Sequence, residues 1–352
     1  MEGASIIKGL RIPIARPGAL SLPWKRILLL DLLLLSFLIL GTRLATLVHE
    51  ILGHSLFSLL TGGAVKGIRI SLFGGGNVYH ALPDGAGVPS LFAVALSGIA
   101  LNLVTGAAVI LRLWKSENPR LGHALWILFG LASLLGGLAY GALGFYYGEG
   151  DPVDWMSGPG YPSAWFCVPF LAAAPFSAFA AVDAYLKWME GWLPGGRSGI
   201  QRLGLVAATL GIALASYAGF YTLSGAESRA MDAPRAAAQR AVEEAERQEL
   251  AALIREVQKR YPGLTDDQAR DLIGRLAVQG PPVEVPRKFP LKIVLACLFS
   301  MGGLCAVFRP RQPGRDVGEG SLSPRYVLAV TAVAASVLAV LGLTGGWIFR
   351  SG

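Results

Sequence analysis

Residues 27–61 read ILLLDLLLLSFLILGTRLATLVHEILGHSLFSLLT, and this stretch decides the fold class. A helix needs about 20 mostly apolar residues to cross ~30 Å of hydrocarbon. Only Gly41-Thr42-Arg43 separates the two apolar halves, 27–41 and 44–61. Two arrangements are therefore open: a tight hairpin of two short spans, or one long helix kinked at the glycine.

Further apolar stretches run over 89–114, 121–147, 165–186, 203–223, 291–308 and 326–349. Together they predict an all-α polytopic membrane protein with about seven to eight transmembrane helices. The composition agrees. Of 352 residues, 53% are hydrophobic and 15% charged, and the mean hydropathy is +0.52, whereas soluble domains carry about 25% charged residues. The net charge of +8 does not point to nucleic acid, because the basic residues sit in short segments beside apolar runs. Lys25-Arg26, Arg112/Lys115/Arg120 and Arg309/Arg311/Arg315 read as topology-setting and headgroup contacts.

The expected organisation has five parts. A basic segment, 1–26, precedes a membrane core over 27–160. Additional transmembrane helices follow over 161–225, then a soluble helical insert over 226–290, then a C-terminal transmembrane pair over 291–352. No small-residue cleavage site closes the first apolar run, so that segment is expected to be retained. With a single first crossing and a cytoplasmic N-terminus, the basic loops around 112–120, 187–202 and 309–325 fall inside. Two crossings invert that pattern. Cys167, Cys297 and Cys305 lie in apolar stretches without CxxC spacing, so they read as packing residues.

Between residues 62 and 87 the pattern changes from helical to alternating. Ile68, Ile70 and Leu72 alternate with Arg69 and Ser71, and Gly74-Gly75-Gly76 breaks the chain before Asn77-Val78-Tyr79-His80. This predicts a short membrane-associated β-hairpin, tolerated at membrane depth only where protein or a wet cavity surrounds it. In the insert, Leu250, Leu253, Ile254 and Val257 have helical spacing. A second helix is expected to start at Thr265, an N-cap residue followed by acidic side chains.

The chemistry concentrates at one place. Two of the chain's four histidines lie in His49-Glu50-Ile51-Leu52-Gly53-His54, inside an apolar helix. Ionisable groups at membrane depth are expensive and imply partners or a function. A metal ion supplies both, since neutral imidazoles coordinate it and a nearby carboxylate can act as general base. Histidines at i and i+5, however, stand ~140° apart on a regular helix. A single π-type turn would bring them onto one face, and Gly53 eases such a distortion. The other geometry keeps a regular helix and pairs Glu50 with His54.

The run 47–63 resembles the first signature of the site-2-protease family of intramembrane zinc peptidases, whose motif is HExxH. The alternating segment 65–82 is similar to the β-hairpin that follows the motif helix in that family. Ser97-Gly98-Ile99-Ala100-Leu101-Asn102 matches the spacing of the family's Gly-Pro-x-x-Asn pattern, with Ile99 in place of proline. Gly148-Glu149-Gly150-Asp151-Pro152-Val153-Asp154-Trp155 falls where the family places the aspartate that is its third zinc ligand. The resemblance covers residues 44–160. The longer HExxGH form is similar to the motif of the dipeptidyl peptidase III family, where both histidines are ligands.

The resemblance implies Zn²⁺ held by His49, His54 and either Asp151 or Asp154, with Glu149 a further choice. It implies Glu50 as the catalytic base, and Gly98 and Asn102 as substrate-binding positions. Asp-Pro is also a common helix start, which keeps both aspartates open. The implied activity is hydrolysis of membrane-protein or membrane-associated peptide substrates within the lipid bilayer, by a multi-pass protein of the cell membrane. The alternative is a non-proteolytic protein, or an inactive protease homologue. In it the same residues form a structural or transport-related metal site, or a polar packing network. His80 and His123 read as loop or interface residues.

Overall fold

The computed structural model describes residues 24–116, 120–147, 150–152, 163–190, 199–223, 244, 248, 250–269 and 323–351. The first helix, α1 (Trp24–Leu47), runs through a π-helical segment (Val48–Ser55) into α2 (Leu56–Leu60). Two strands follow, β1 (Ala64–Ile70) and β2 (Gly76–Ala81). Then come α3 (Val88–Trp114), α4 (His123–Tyr147), α5 (Ser163–Glu190) and α6 (Gly199–Leu223). Near the C-terminus stand α7 (Pro324–Leu343) and β3 (Trp347–Arg350). Helices α3 and α7 open with proline in the first turn, where its missing N–H costs nothing and its fixed φ suits the helix.

Among the described residues, five helices are long and apolar enough to cross a membrane: Ile27–Leu60, Val88–Trp114, His123–Tyr146, Phe166–Met189 and Pro324–Leu343. The chain is thus mostly helical and of membrane-protein character. The first two apolar stretches form one 34-residue span. Gly41 makes no turn there. It lets α1 approach α4 closely, since a Cβ at Gly41 would stand 2.9 Å from the Phe129 nitrogen and 3.2 Å from the Leu128 carbonyl carbon. In the expected stretch 203–223 the apolar run is shorter, Val206–Phe220. The expected span 291–308, with Cys297 and Cys305, and most of the insert lie outside the described residues.

The main core joins one face of α1 to the other helices. Leu33, Leu34 and Phe37 of α1 pack with Ile127 and Leu128 of α4, Tyr185 and Trp188 of α5, Ala213 of α6 and Val327 of α7. A second cluster, around Ile110, Leu134 and Ala181, ties α3 to α4 and α5.

The expected hairpin is present, but it belongs to a three-stranded antiparallel sheet in the order β2-β1-β3. The third strand corrects the reading of 326–349 as one span. Gly345 and Gly346 take φ of 58° and 81°, a left-handed backbone that glycine adopts without strain. They stop α7 and turn Trp347–Arg350 onto β1, where the Ile70 N–H donates to the Gly346 carbonyl at 2.8 Å. Ile68 and Ile70 then pack with Leu341, Leu47 and Ile51, which seats the sheet against the π-helical segment. In the insert, Thr265 and Gln268 cap each other reciprocally, at 3.0 and 3.3 Å. This is the helix start expected at Thr265.

The α1–α4 crossing gives a direct check. Gly41→Ala places a methyl group into backbone at 2.9 Å, and overpacking of this kind costs about 1–3 kcal/mol. A lower thermal unfolding midpoint of the detergent-solubilised protein is the expected result.

Candidate metal centre

The i, i+5 spacing is resolved by the backbone itself. Residues Val48–Ser55 form a π-helix, whose i→i+5 hydrogen bonds stack residues five apart. His49 and His54 are both buried, and their rings meet edge to face with centroids 4.8 Å apart. Gly53 does more than permit the distortion. Its missing side chain admits α3, because a Cβ there would collide with Gly98, 2.7 Å from the Gly98 nitrogen.

Asp151 completes the group. His49 Nε2 lies 3.1 Å from Asp151 Oδ2, His54 Nε2 lies 3.0 Å from it, and the two Nε2 atoms are 3.1 Å apart. The backbone that delivers the carboxylate is held by Tyr140. Its hydroxyl accepts from the Asp151 N–H at 3.3 Å, and its ring lies edge-on to His49 at 5.9 Å. Gly150 turns beside it with φ of 72°, and a Cβ there would stand 2.7 Å from the Tyr140 hydroxyl. Asp154 and Glu149 lie outside the described residues.

The protons decide what this group can bind. The Nδ1–H of His54 donates to the Val94 carbonyl at 2.7 Å, which also accepts from Ser97 Oγ at 2.8 Å. Asn102 lies against His49, with Nδ2 3.3 Å from Nδ1 and Oδ1 buried without a partner. Amide oxygen and nitrogen exchange by a half-turn, and that half-turn gives the orphaned Oδ1 the Nδ1–H of His49. With both imidazoles neutral and protonated at Nδ1, each Nε2 would offer a lone pair. Two imidazole nitrogens and a carboxylate converge, a set able to hold a metal ion.

The three atoms fit a metal ion. Ligands held at about 2.0–2.1 Å on a tetrahedron stand roughly 3.3 Å from one another. Among the described residues, His49, His54 and Asp151 form a group able to hold such an ion, their ligand atoms all lying within 4.8 Å of one another. Three protein ligands leave a fourth position open.

Around this group the remaining expected residues take definite places. Gly98 makes room for a ligand: a Cβ there would stand 2.7 Å from His49 Nε2. Asn102 touches His49. Glu50 is buried on the same π-helical segment and interacts electrostatically with His49, His54 and Asp151. The Gly76 N–H at the start of β2 donates to its carboxylate, and a Cβ at Gly76 would stand 2.9 Å from Glu50 Oε1. His80 lies in β2, and His123 accepts from the Arg120 N–H at 3.3 Å where α4 begins. Sequence reasoning missed Tyr140, whose only signal is a phenol within an apolar helix.

Fold and centre together define a class: a helical protein with apolar helices of membrane-crossing length and a buried two-histidine, one-aspartate group able to hold a metal ion. In comparison with known proteins, the chain matches no family model, no curated protein and no solved structure.

Asn102 provides a test of the proton assignment. Removing such an outer partner typically costs about 10–100-fold in metal affinity. Asn102→Leu is expected to lose affinity in that range in a chelator-competition titration. Asn102→Asp, which still accepts from Nδ1–H, is expected to stay near wild type.

Proposed function

We propose that this chain is a zinc metallopeptidase that hydrolyses peptide bonds of membrane-protein or membrane-associated substrates. The observation that carries the reading is the placement of Glu50. One π-helical segment carries two buried histidines and, between them in sequence, a buried carboxylate that interacts with both and with Asp151. A purely structural site closes its coordination and has no use for an adjacent base.

His49, His54 and Asp151 would hold the ion. A bound Zn²⁺ supplies Lewis acidity, which makes water a nucleophile near neutral pH and polarises a carbonyl. Glu50 takes the proton from the attacking water and passes it to the nitrogen of the leaving amine. The Gly76 N–H orients that carboxylate. Among the described residues strand β2 pairs with β1 and forms an edge of the sheet, which offers main-chain hydrogen bonds to an unwound substrate segment. A substrate with helix-breaking residues suits this arrangement, since a helix in lipid gives up its internal hydrogen bonds reluctantly. The triad lies about 9–16 Å along the helix from the Leu60 end of the first span, at ~1.5 Å per residue. In this reading the protein sits in the cell membrane, with 199–223 and 291–308 as additional crossings.

The test uses a single-span membrane reporter with helix-breaking residues in its span, incubated with purified protein. Wild type is expected to hold one zinc per chain and cleave the reporter. Glu50→Gln is expected to keep the zinc and lose about 10²–10⁴-fold in rate, whereas His54→Ala loses the metal itself. Cleavage that persists unchanged in Glu50→Gln would falsify the proposal.

A further inference from the structure

Arg43 is a buried charge outside the metal centre. It lies in α1, seven residues before Glu50 on the same continuous span. It is 4% exposed within a membrane-length span. A charge at that depth is costly unless polar groups surround it. Its partners are uncharged and converge on one place, the turn between β1 and β2. Arg43 Nη1 donates to the Ser71 carbonyl at 2.6 Å, and Nη2 to the carbonyls of Gly74 at 2.6 Å and Phe73 at 3.1 Å.

Helix α6 closes over the same turn. Tyr217 accepts from Arg43 Nη2 at 3.2 Å and donates to the Phe73 carbonyl at 2.7 Å. Phe220 stacks on the Phe73 ring at 5.4 Å. The turn is tied across its neck, where Ser71 N–H and Oγ both donate to the Gly75 carbonyl, at 3.0 and 2.9 Å. The next residue is Gly76, which lies against Glu50: a Cβ there would stand 2.7 Å from Glu50 Cγ and 2.9 Å from Oε1. A continuous set of contacts therefore runs from Arg43 through the turn to Glu50, and both ends sit on one helix.

We propose that Arg43 is a positioning residue: it latches the β1–β2 turn onto α1, and thereby sets Gly76 against Glu50 and fixes strand β2 where it leaves that turn. The inference rests on the peptidase reading for its purpose, since a fixed β2 edge serves an extended peptide. The choice of arginine follows from its planar fork, which serves several carbonyls at once; an ammonium is a single point charge. Arg43→Lys keeps the charge and loses the fork.

The full chain, purified with zinc, is tested in two ways. The first is hydrogen–deuterium exchange. Arg43→Gln is expected to raise exchange at 71–76 while α1, α3 and the zinc content stay at wild-type levels. The second compares two hydroxamates: acetohydroxamate, which needs only the metal, and a Leu-Leu-Ala peptide hydroxamate, which also needs the strand edge. Arg43→Gln is expected to bind acetohydroxamate as wild type does and the peptide hydroxamate roughly tenfold more weakly, because the edge is no longer pre-organised. Arg43→Lys is expected to fall between. Tyr217→Phe, which keeps the ring and removes the hydroxyl, is expected to shift both readouts in the same direction and serves if Arg43→Gln does not fold. Unchanged exchange at 71–76 overturns the latch, as does equal loss of both hydroxamates. Wild-type protein that binds both hydroxamates but cleaves no reporter overturns the peptidase reading alone.

Discussion

Two histidines five residues apart on a regular α-helix point about 140° away from each other, and the site exists only because the helix closes that angle. The π-helical segment Val48–Ser55 does so by widening the turn. Such a segment is less favourable than continuous α-helix, so something else must favour it. Packing supplies part of the answer. Gly53 and Gly98 let the backbones of the π-helical segment and α3 meet, and a side chain at either position would strike the partner helix or the His49 ring. The rest comes from protons and charge. His54 is tied to the Val94 carbonyl and His49 to Asn102, both on α3. The helix that crosses closest to the distortion also orients both rings.

This arrangement explains why polar groups can be so dense at membrane depth. Several buried groups find a partner nearby: the His54 Nδ1–H on the Val94 carbonyl, and Arg43 Nη1 and Nη2 on the turn that Gly76 follows. Beside them His49, His54 and Asp151 converge into a group able to hold a metal ion.

Much of this was legible in the sequence, and for physical reasons. Long apolar runs and a cluster of ionisable residues inside one of them are unambiguous, because lipid penalises polar groups position by position. The HEILGH spacing even implied its own remedy, a π turn. The alternation over 65–82 announced strands. Other features depend on what lies far away in the chain. Gly41-Thr42-Arg43 resembles a break, but the glycine serves the α4 backbone and the arginine serves the β1–β2 turn. Neither partner is visible locally. The contact of Asn102 with His49, 53 residues away in sequence, is hidden in the same way. The third strand hides because Trp347–Arg350 continues an apolar run, and only Gly345-Gly346 marks the change.

The third strand bears on how the site is oriented. β1 lies between β2 and β3, so the C-terminal strand occupies the edge of β1 that would otherwise compete as a template for strand pairing. Its placement is reinforced on the outer face. Trp347 lies over Gly67, where a Cβ would stand 2.9 Å from its ring, and it stacks on Tyr79 at 5.4 Å. Arg69 and Arg350 approach the same indole at 5.9 and 5.2 Å. With that edge covered, β2 forms the other edge of the sheet among the described residues. The sheet therefore draws its directionality from residues nearly 300 positions apart in sequence. Helix α7 carries β3 to β1 and packs Leu341 against Ile68 and Ile70, so the accessible edge of the sheet is set by the last helix rather than by the hairpin alone.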